Sequence, residues 1–282
     1  MTRVHLSLFV ALGGALCAPA VSHAAISCTR DGLHQAAELY VAAQTQGDLS
    51  GLPLAKNAGY WENLAPADIR KGFLTRPLKI DHRRTFVDTD TCQTFTEVIV
   101  TDKAAPHVLG TRLRVNHDLV AEVEILWTTT GYWLFNADNY LKYSSTENWG
   151  DIPAAKRTSR GRLIAAANAY LDAFLEKKTD LVPWGYPCVR VEGGLYTGKG
   201  LPTDTCEDGV PAGVNIANRR FIVDETLGAV TVFCTFGAGG PDGRSGAPDT
   251  HLFRVENGKL RYVHTLTHLL QADFKGGARS SD

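Results

Sequence analysis

The chain has 282 residues, 29 Lys and Arg against 30 Asp and Glu, and a formal charge of −1. So balanced a surface carries no basic stripe to track phosphates, which argues against a nucleic-acid partner. Apolar content of 44% suits packed domains rather than a disordered chain, and the length suits two units of about 120–130 residues.

Residues 1–24 read as an export leader. Arg3 gives a positive start, Val4 to Cys17 is almost wholly apolar, and Ser22-His23-Ala24 stands where a signal peptidase cuts. The apolar run is too short for a stable span of roughly 20 residues. The competing reading is a buried N-terminal helix. Cleavage after Ala24 or Ala25 would leave about 257 residues, secreted and without a membrane span.

Leu33, Ala36, Tyr40 and Ala43 recur at helical spacing and open a first unit over 26–145. An irregular stretch containing Glu62 follows. Arg84–Val87, Thr94–Val100 and Leu113–Val115 then read as strands. His117-Asp118 is a turn, and Trp127–Gly131 with Tyr132–Phe135 reads as a hairpin around Thr130-Gly131. Residues 146–156 form a polar linker, the second unit covers 157–275, and 276–282 is a disordered tail.

The second unit repeats the first. Adding 130 to the helix positions gives Leu163, Ala166, Tyr170 and Ala173, and Glu62 meets Glu192 at the same offset. Arg84-Thr-Phe-Val-Asp88 meets Arg220-Phe-Ile-Val-Asp224 at 136, and Leu113-Arg-Val115 meets Phe253-Arg-Val255 at 140. Ordered matches whose offset grows only across loops are the mark of duplication. Val230–Phe236 is a strand, and Asn257-Gly258 is a two-residue hairpin turn. The expected class is α+β: two tandem units, each a helix packed in a curved antiparallel sheet with a pocket at its open end.

Exported chains favour disulfides. Cys188 and Cys206 flank a Gly/Thr/Pro-rich loop that a bridge would staple, and Cys28 could pair with Cys92. Cys234 is left over in an apolar run, to be read as a buried free thiol rather than a reactive one. The cysteine spacings do not match a compact zinc site, and no N-x-Ser/Thr sequon is present. His264 and His268 have helical ligand spacing but lie in a strand, where they stand roughly 13 Å apart. No metal and no cofactor is expected.

The second unit holds the candidates. Arg190 and Glu192 fall in the second unit's irregular middle; if that segment is extended, their alternation sets both on one face. They could orient a polar substrate, or simply tie a loop down as a salt bridge. His251, Arg254 and His264 add titratable and charged groups, His264 matching Glu124 of the first copy. His251 faces either a pocket mouth or open solvent. Tyr170, Trp184 and Tyr186 could stack on a flat ligand, as Tyr60-Trp61 could in the first unit, or pack in the core. No Gly-x-Ser-x-Gly elbow is present, and the glycines from Gly237 to Gly246 lack the Lys-Ser/Thr of a phosphate loop.

The element order, closing on Asn257-Gly-Lys-Leu-Arg-Tyr-Val263, resembles the NTF2-like superfamily and its SnoaL-like branch. Val182-Pro-Trp-Gly-Tyr-Pro-Cys188, Arg190-Val-Glu-Gly-Gly194, Tyr196-Thr-Gly198, Asp204-Thr-Cys206, Gly209-Val-Pro211 and Arg219-Arg220 resemble a family of secreted fungal proteins. In size and organisation the chain is similar to the hetero-Diels-Alderases that join a tropolone quinone methide to a humulene-type terpene. That resemblance implies a secreted, cofactor-independent cyclase acting on a small apolar or aromatic natural product; it transfers no catalytic position. The alternatives are a secreted protein that binds such a molecule without turnover, and a structural extracellular protein.

Overall fold

A computed structural model describes residues 25–237 and 246–273. The expected leader, the tail at 276–282 and most of the glycine-rich loop after Gly237 lie outside the described residues.

The first unit opens with helix α1 (Arg30–Gln46), whose N-cap Thr29 accepts a hydrogen bond from the Gly32 amide. Leu33, Ala36, Tyr40 and Ala43 form its buried face, as their spacing requires. Six strands follow: β1 (Leu54–Glu62), β2 (Ala65–Pro66), β3 (His82–Asp88), β4 (Gln93–Val100), β5 (His107–Asn116) and β6 (Leu119–Thr129). They form a sheet ordered β2-β1-β6-β5-β4-β3. The second unit repeats this with α3 (Arg160–Glu176), β7 (Trp184–Glu192), β8 (Leu195–Tyr196), β9 (Ile216–Asp224), β10 (Ala229–Phe236), β11 (Ala247–Glu256) and β12 (Lys259–Thr267). Its sheet runs β8-β7-β12-β11-β10-β9, the same order position for position. The duplication legible in the sequence is therefore present in the topology.

Both expected hairpin turns form. His117-Asp118 and Asn257-Gly258 adopt positive φ at both central positions, the twist that a two-residue hairpin needs. Three expectations are corrected. The segments around Glu62 and Glu192 are not irregular but are β1 and β7. Nor is either sheet wholly antiparallel, because β1 runs parallel to β6 and β7 parallel to β12. These strands read as loops in sequence because each carries a register shift that breaks the period-two pattern. The hairpin at 127–135 is also absent. Tyr132 makes a single bridge to Leu270, and Asn136 then caps a helix the sequence reading missed, α2 (Ala137–Ser144). The linker is less polar than its composition implies, since Trp149 and Ile152 are buried.

Strand alternation gives each sheet two buried faces. One packs on its own helix: Tyr40, Val98, Leu109 and Val123 in the first unit, Tyr170, Val232, Phe253 and Val263 in the second. The other faces join the units in a shared apolar layer containing Phe86, Phe95, Leu126, Ile222, Phe233 and Leu252, closed by Trp149 and by Tyr140 of α2. Disulfides Cys28–Cys92 and Cys188–Cys206 are both formed, and Cys234 is free and buried. Among the described residues no helix is long and apolar enough to cross a membrane.

A reciprocal clasp relates the units. Arg30, opening α1, donates to Asp224 of the second unit at 2.9 Å, and Arg160, opening α3, donates to Asp88 of the first at 2.7 Å. The second oxygen of each aspartate accepts the Val87 and Val223 amides across the boundary, at 3.1 and 2.9 Å. The first oxygen also caps its own turn. Such charge-assisted bonds contribute about 1.5–3 kcal/mol each before rearrangement. Asp224→Ala is expected to lower the unfolding free energy by about 2–3 kcal/mol, read from urea melts, with Asp224→Asn recovering part of it. A loss no larger than at an exposed site would contradict the clasp.

Candidate functional site

The second unit has a half-open cavity of about 1540 Å³ between α3 and its sheet. Ordinary ligand pockets hold about 300–1000 Å³. Its wall is largely apolar, with Phe174 from α3 and Phe236 from β10, and Trp133 of the first unit reaches in. Into this wall project Tyr170, Arg190, Glu192 and His251.

Arg190 is buried and donates from one terminal nitrogen to the Tyr170 hydroxyl (3.2 Å) and from the other to the Asp208 carbonyl (2.6 Å). Its Nε is buried with no hydrogen-bond partner among the described residues. Glu192 lies 3.7 Å from the guanidinium and accepts from the Trp133 indole at 3.0 Å, so the first unit positions a side chain in the second. Burial pushes the Tyr170 phenol upward, the neighbouring Arg190 charge opposing it; it stays a neutral donor near pH 7.

His251 is buried, not a solvent-exposed loop histidine. Behind it sit Asp249 and Cys234. His251 Nδ1 lies 3.1 Å from Asp249 Oδ2, the Cys234 sulfur lies 3.7 Å from the same oxygen, and Thr267 donates to the other oxygen at 3.0 Å. Burial pushes the Cys234 thiol well above its ordinary range, and the Asp249 charge adds to this. The ligand atoms of Cys234, Asp249 and His251 all fall within 4.8 Å of one another.

The repeat shows that this polarity belongs to one copy. In the first unit the ladder Val98–Leu109–Trp127 occupies the rungs that Cys234–Asp249–Thr267 occupies in the second, and Thr111 stands at the position of His251. Tyr40, the counterpart of Tyr170, bonds Thr111 at 2.7 Å in a sealed core. Where Arg190 stands, the first unit has Tyr60, which donates to Glu62 at 2.6 Å. The segment Phe73–Thr75 closes the end that is open in the second unit. Phe73 stacks on Trp127 with ring centroids 5.2 Å apart and also meets His107. One copy is plugged by Phe73, and the other is hollow, with buried hydrogen-bonding groups set in a largely apolar wall.

The other expected site residues lie elsewhere. Trp184 packs edge-on against Tyr170 in the core and donates to the Thr179 carbonyl. Tyr186 is 65% exposed on the outer surface. Arg254 and His264 fall on the opposite face of their strands, because positions 251 and 253 point inward and 252 and 254 outward. Arg254 is tied to the carbonyls of Leu227 and Gly150, and His264 to Glu97 and Glu147 in the layer between the units. His264 and His268 make no common group: His268 turns to the Trp127 carbonyl. Sequence reasoning missed Asp249, Thr267 and Trp133. The first two were within reach of the same 140-residue offset, which sets a buried Asp against Leu109 and Thr267 against Trp127.

A family model described as a domain of unknown function (DUF8021) matches residues 156–267, the second unit from just before α3 to the end of β12. No curated protein matches the chain.

Proposed function

We propose that the chain is a secreted pair of NTF2-like units in which the first is scaffold and the second is an enzyme. Its substrate is a small, largely apolar natural product bearing a carbonyl-type oxygen, and its reaction is a ring-forming addition of the hetero-Diels-Alder type or a related cyclisation. The observation that carries this reading is the divergence of the two copies: the second has a large cavity with buried hydrogen-bonding groups in its wall, where in the first Phe73 packs on Trp127 and His107. Such an addition gains most from holding two reactants together, which is worth several kcal/mol. The cavity volume suits two mid-sized reactants. Arg190 Nε, without a partner among the described residues, and the Tyr170 hydroxyl are the donors for charge developing on the oxygen. His251 adds a third polar group on the facing strand.

The test begins with native mass spectrometry of the purified protein, with and without extract of its producing host. A retained molecule is then assayed for conversion. Arg190→Met is expected to lower kcat about a hundredfold, in line with loss of one preorganised donor, while Tyr186→Ala on the outer surface leaves it unchanged. Retention without conversion would replace catalysis by binding alone. No retention by wild type would remove the ligand-handling reading and leave a structural role.

A further inference from the structure

Asp249 is a buried carboxylate whose only nitrogen partner among the described residues is the His251 imidazole. Its side chain is fully buried, yet among those residues no Lys or Arg pairs with it; its neighbours are an imidazole, a thiol and the Thr267 hydroxyl. A buried carboxylate is costly unless a cation compensates it. The geometry of the neighbours indicates which cation. A tetrahedral zinc ion with ordinary bond lengths sets its ligands about 3.3 Å apart for nitrogen and oxygen, and about 3.5–3.6 Å apart from sulfur to either. The three separations here are 3.1 Å (His251 Nδ1 to Asp249 Oδ2), 3.7 Å (Cys234 sulfur to the same oxygen) and 3.9 Å (sulfur to Nδ1). They approximate one face of such a tetrahedron.

We propose that Cys234, Asp249 and His251 form a mononuclear site for a divalent cation of the zinc type. One thiolate and one carboxylate neutralise the ion, so the buried cluster becomes electrically balanced. The Thr267 bond to the outer carboxylate oxygen is the supporting contact that ligating carboxylates commonly have. All three ligands come from neighbouring strands: Cys234 and Asp249 are register partners on β10 and β11, and His251 is two residues on, pointing the same way. His251 and Thr267 belong to the cavity wall, and Cys234 and Asp249 lie buried behind it. The first copy, with Val98, Leu109 and Thr111, offers nothing comparable. Any effect on a reaction rests on the function proposed above. The site itself stands or falls on metal binding alone.

Binding replaces the Cys234 thiol proton by the metal and releases it to solvent, so affinity rises with pH. The test is titration of the chelator-treated full chain with Co2+. One equivalent is expected to give the near-ultraviolet thiolate-to-cobalt charge-transfer band together with the strong visible bands of a tetrahedral ion, both removed by added Zn2+. Cys234→Ser abolishes the charge-transfer band, and Thr267→Val weakens affinity on the order of tenfold. If wild type shows no charge-transfer band, or the band survives in Cys234→Ser, the site does not exist. Neither result touches the ligand-retention experiment, so the two proposals fail separately.

Discussion

Replacing His264 by alanine is expected to lower the unfolding free energy by about 3–5 kcal/mol, the cost of leaving buried charge without its partner. In a chain of this size that is a fall in Tm on the order of 10 °C. His264 lies between the units with Glu97 Oε1 2.9 Å from Nδ1 and Glu147 Oε2 2.7 Å from Nε2. Two carboxylates need two donors, so the ring is an imidazolium. Burial alone would lower its pKa, but Glu147 and Glu97 outweigh this and raise it to about 9. For Glu97, burial pulls upward, but the His264 charge, reinforced by Arg84 and the Tyr140 hydroxyl, takes it down to about 2. The signs then fix the pH dependence. Stabilisation through His264 is complete below its ordinary value near 6.5 and is lost as pH rises through about 9. Stabilisation through Glu97 is present above its ordinary value near 4.5 and is lost as pH falls towards 2. Urea midpoints of wild type should therefore decline from neutral to alkaline pH, while those of His264→Ala start lower and decline less. Parallel curves for the two proteins would show that His264 is not charged in the fold.

The second large effect concerns the disulfides. Cys28–Cys92 closes a loop of sequence separation 64 and Cys188–Cys206 one of 18. In the chain-entropy model these bridges contribute about 4 and 3 kcal/mol. The longer one also fastens the approach to α1 onto the turn between β3 and β4, next to the clasp through Asp88. Cys28→Ser/Cys92→Ser is thus expected to unfold at lower urea than Cys188→Ser/Cys206→Ser, and the latter to lose cavity order more than global stability. Equilibrium melts of the two double variants decide this; the reverse order would mean that native contacts, not loop entropy, set the ranking.

The parts of this molecule that a local pattern specifies were legible in the sequence. Leu33, Ala36, Tyr40 and Ala43 announce a helix because burial of one face repeats every 3.6 residues, and Asn257-Gly258 announces a turn because its backbone demands positive φ. Pairings across a long separation were not legible. Nothing local in Trp184–Glu192 says that it lies parallel to β12, so stacking on a ligand and packing in the core both stayed open for Trp184 and Tyr186. The direction a side chain faces was also hidden wherever both faces of a strand are buried. His251, Arg254 and His264 look alike as polar residues in apolar strands, yet the pleat sends one to the cavity and two to the layer between the units. Arg190 and Glu192 were placed on one face by simple alternation, and they share it in the fold. Asp249 escaped notice because polar residues at a strand start are ordinary; only its counterpart Leu109 marks it as out of place.

The reciprocal clasp has a consequence for how such a chain can change. Arg30 to Asp224 and Arg160 to Asp88 are the two halves of a two-fold relation that, between separate identical subunits, would force every substitution to appear twice. Joined in one polypeptide, the halves are released from that bookkeeping. Leu109 can remain oily while Asp249 becomes acidic, and Phe73 can seal one mouth while the other stays open. The fused pair keeps the mutual support of a dimer and gains the freedom to specialise one side, with the sealed copy serving as the rigid anvil against which the hollow one is shaped.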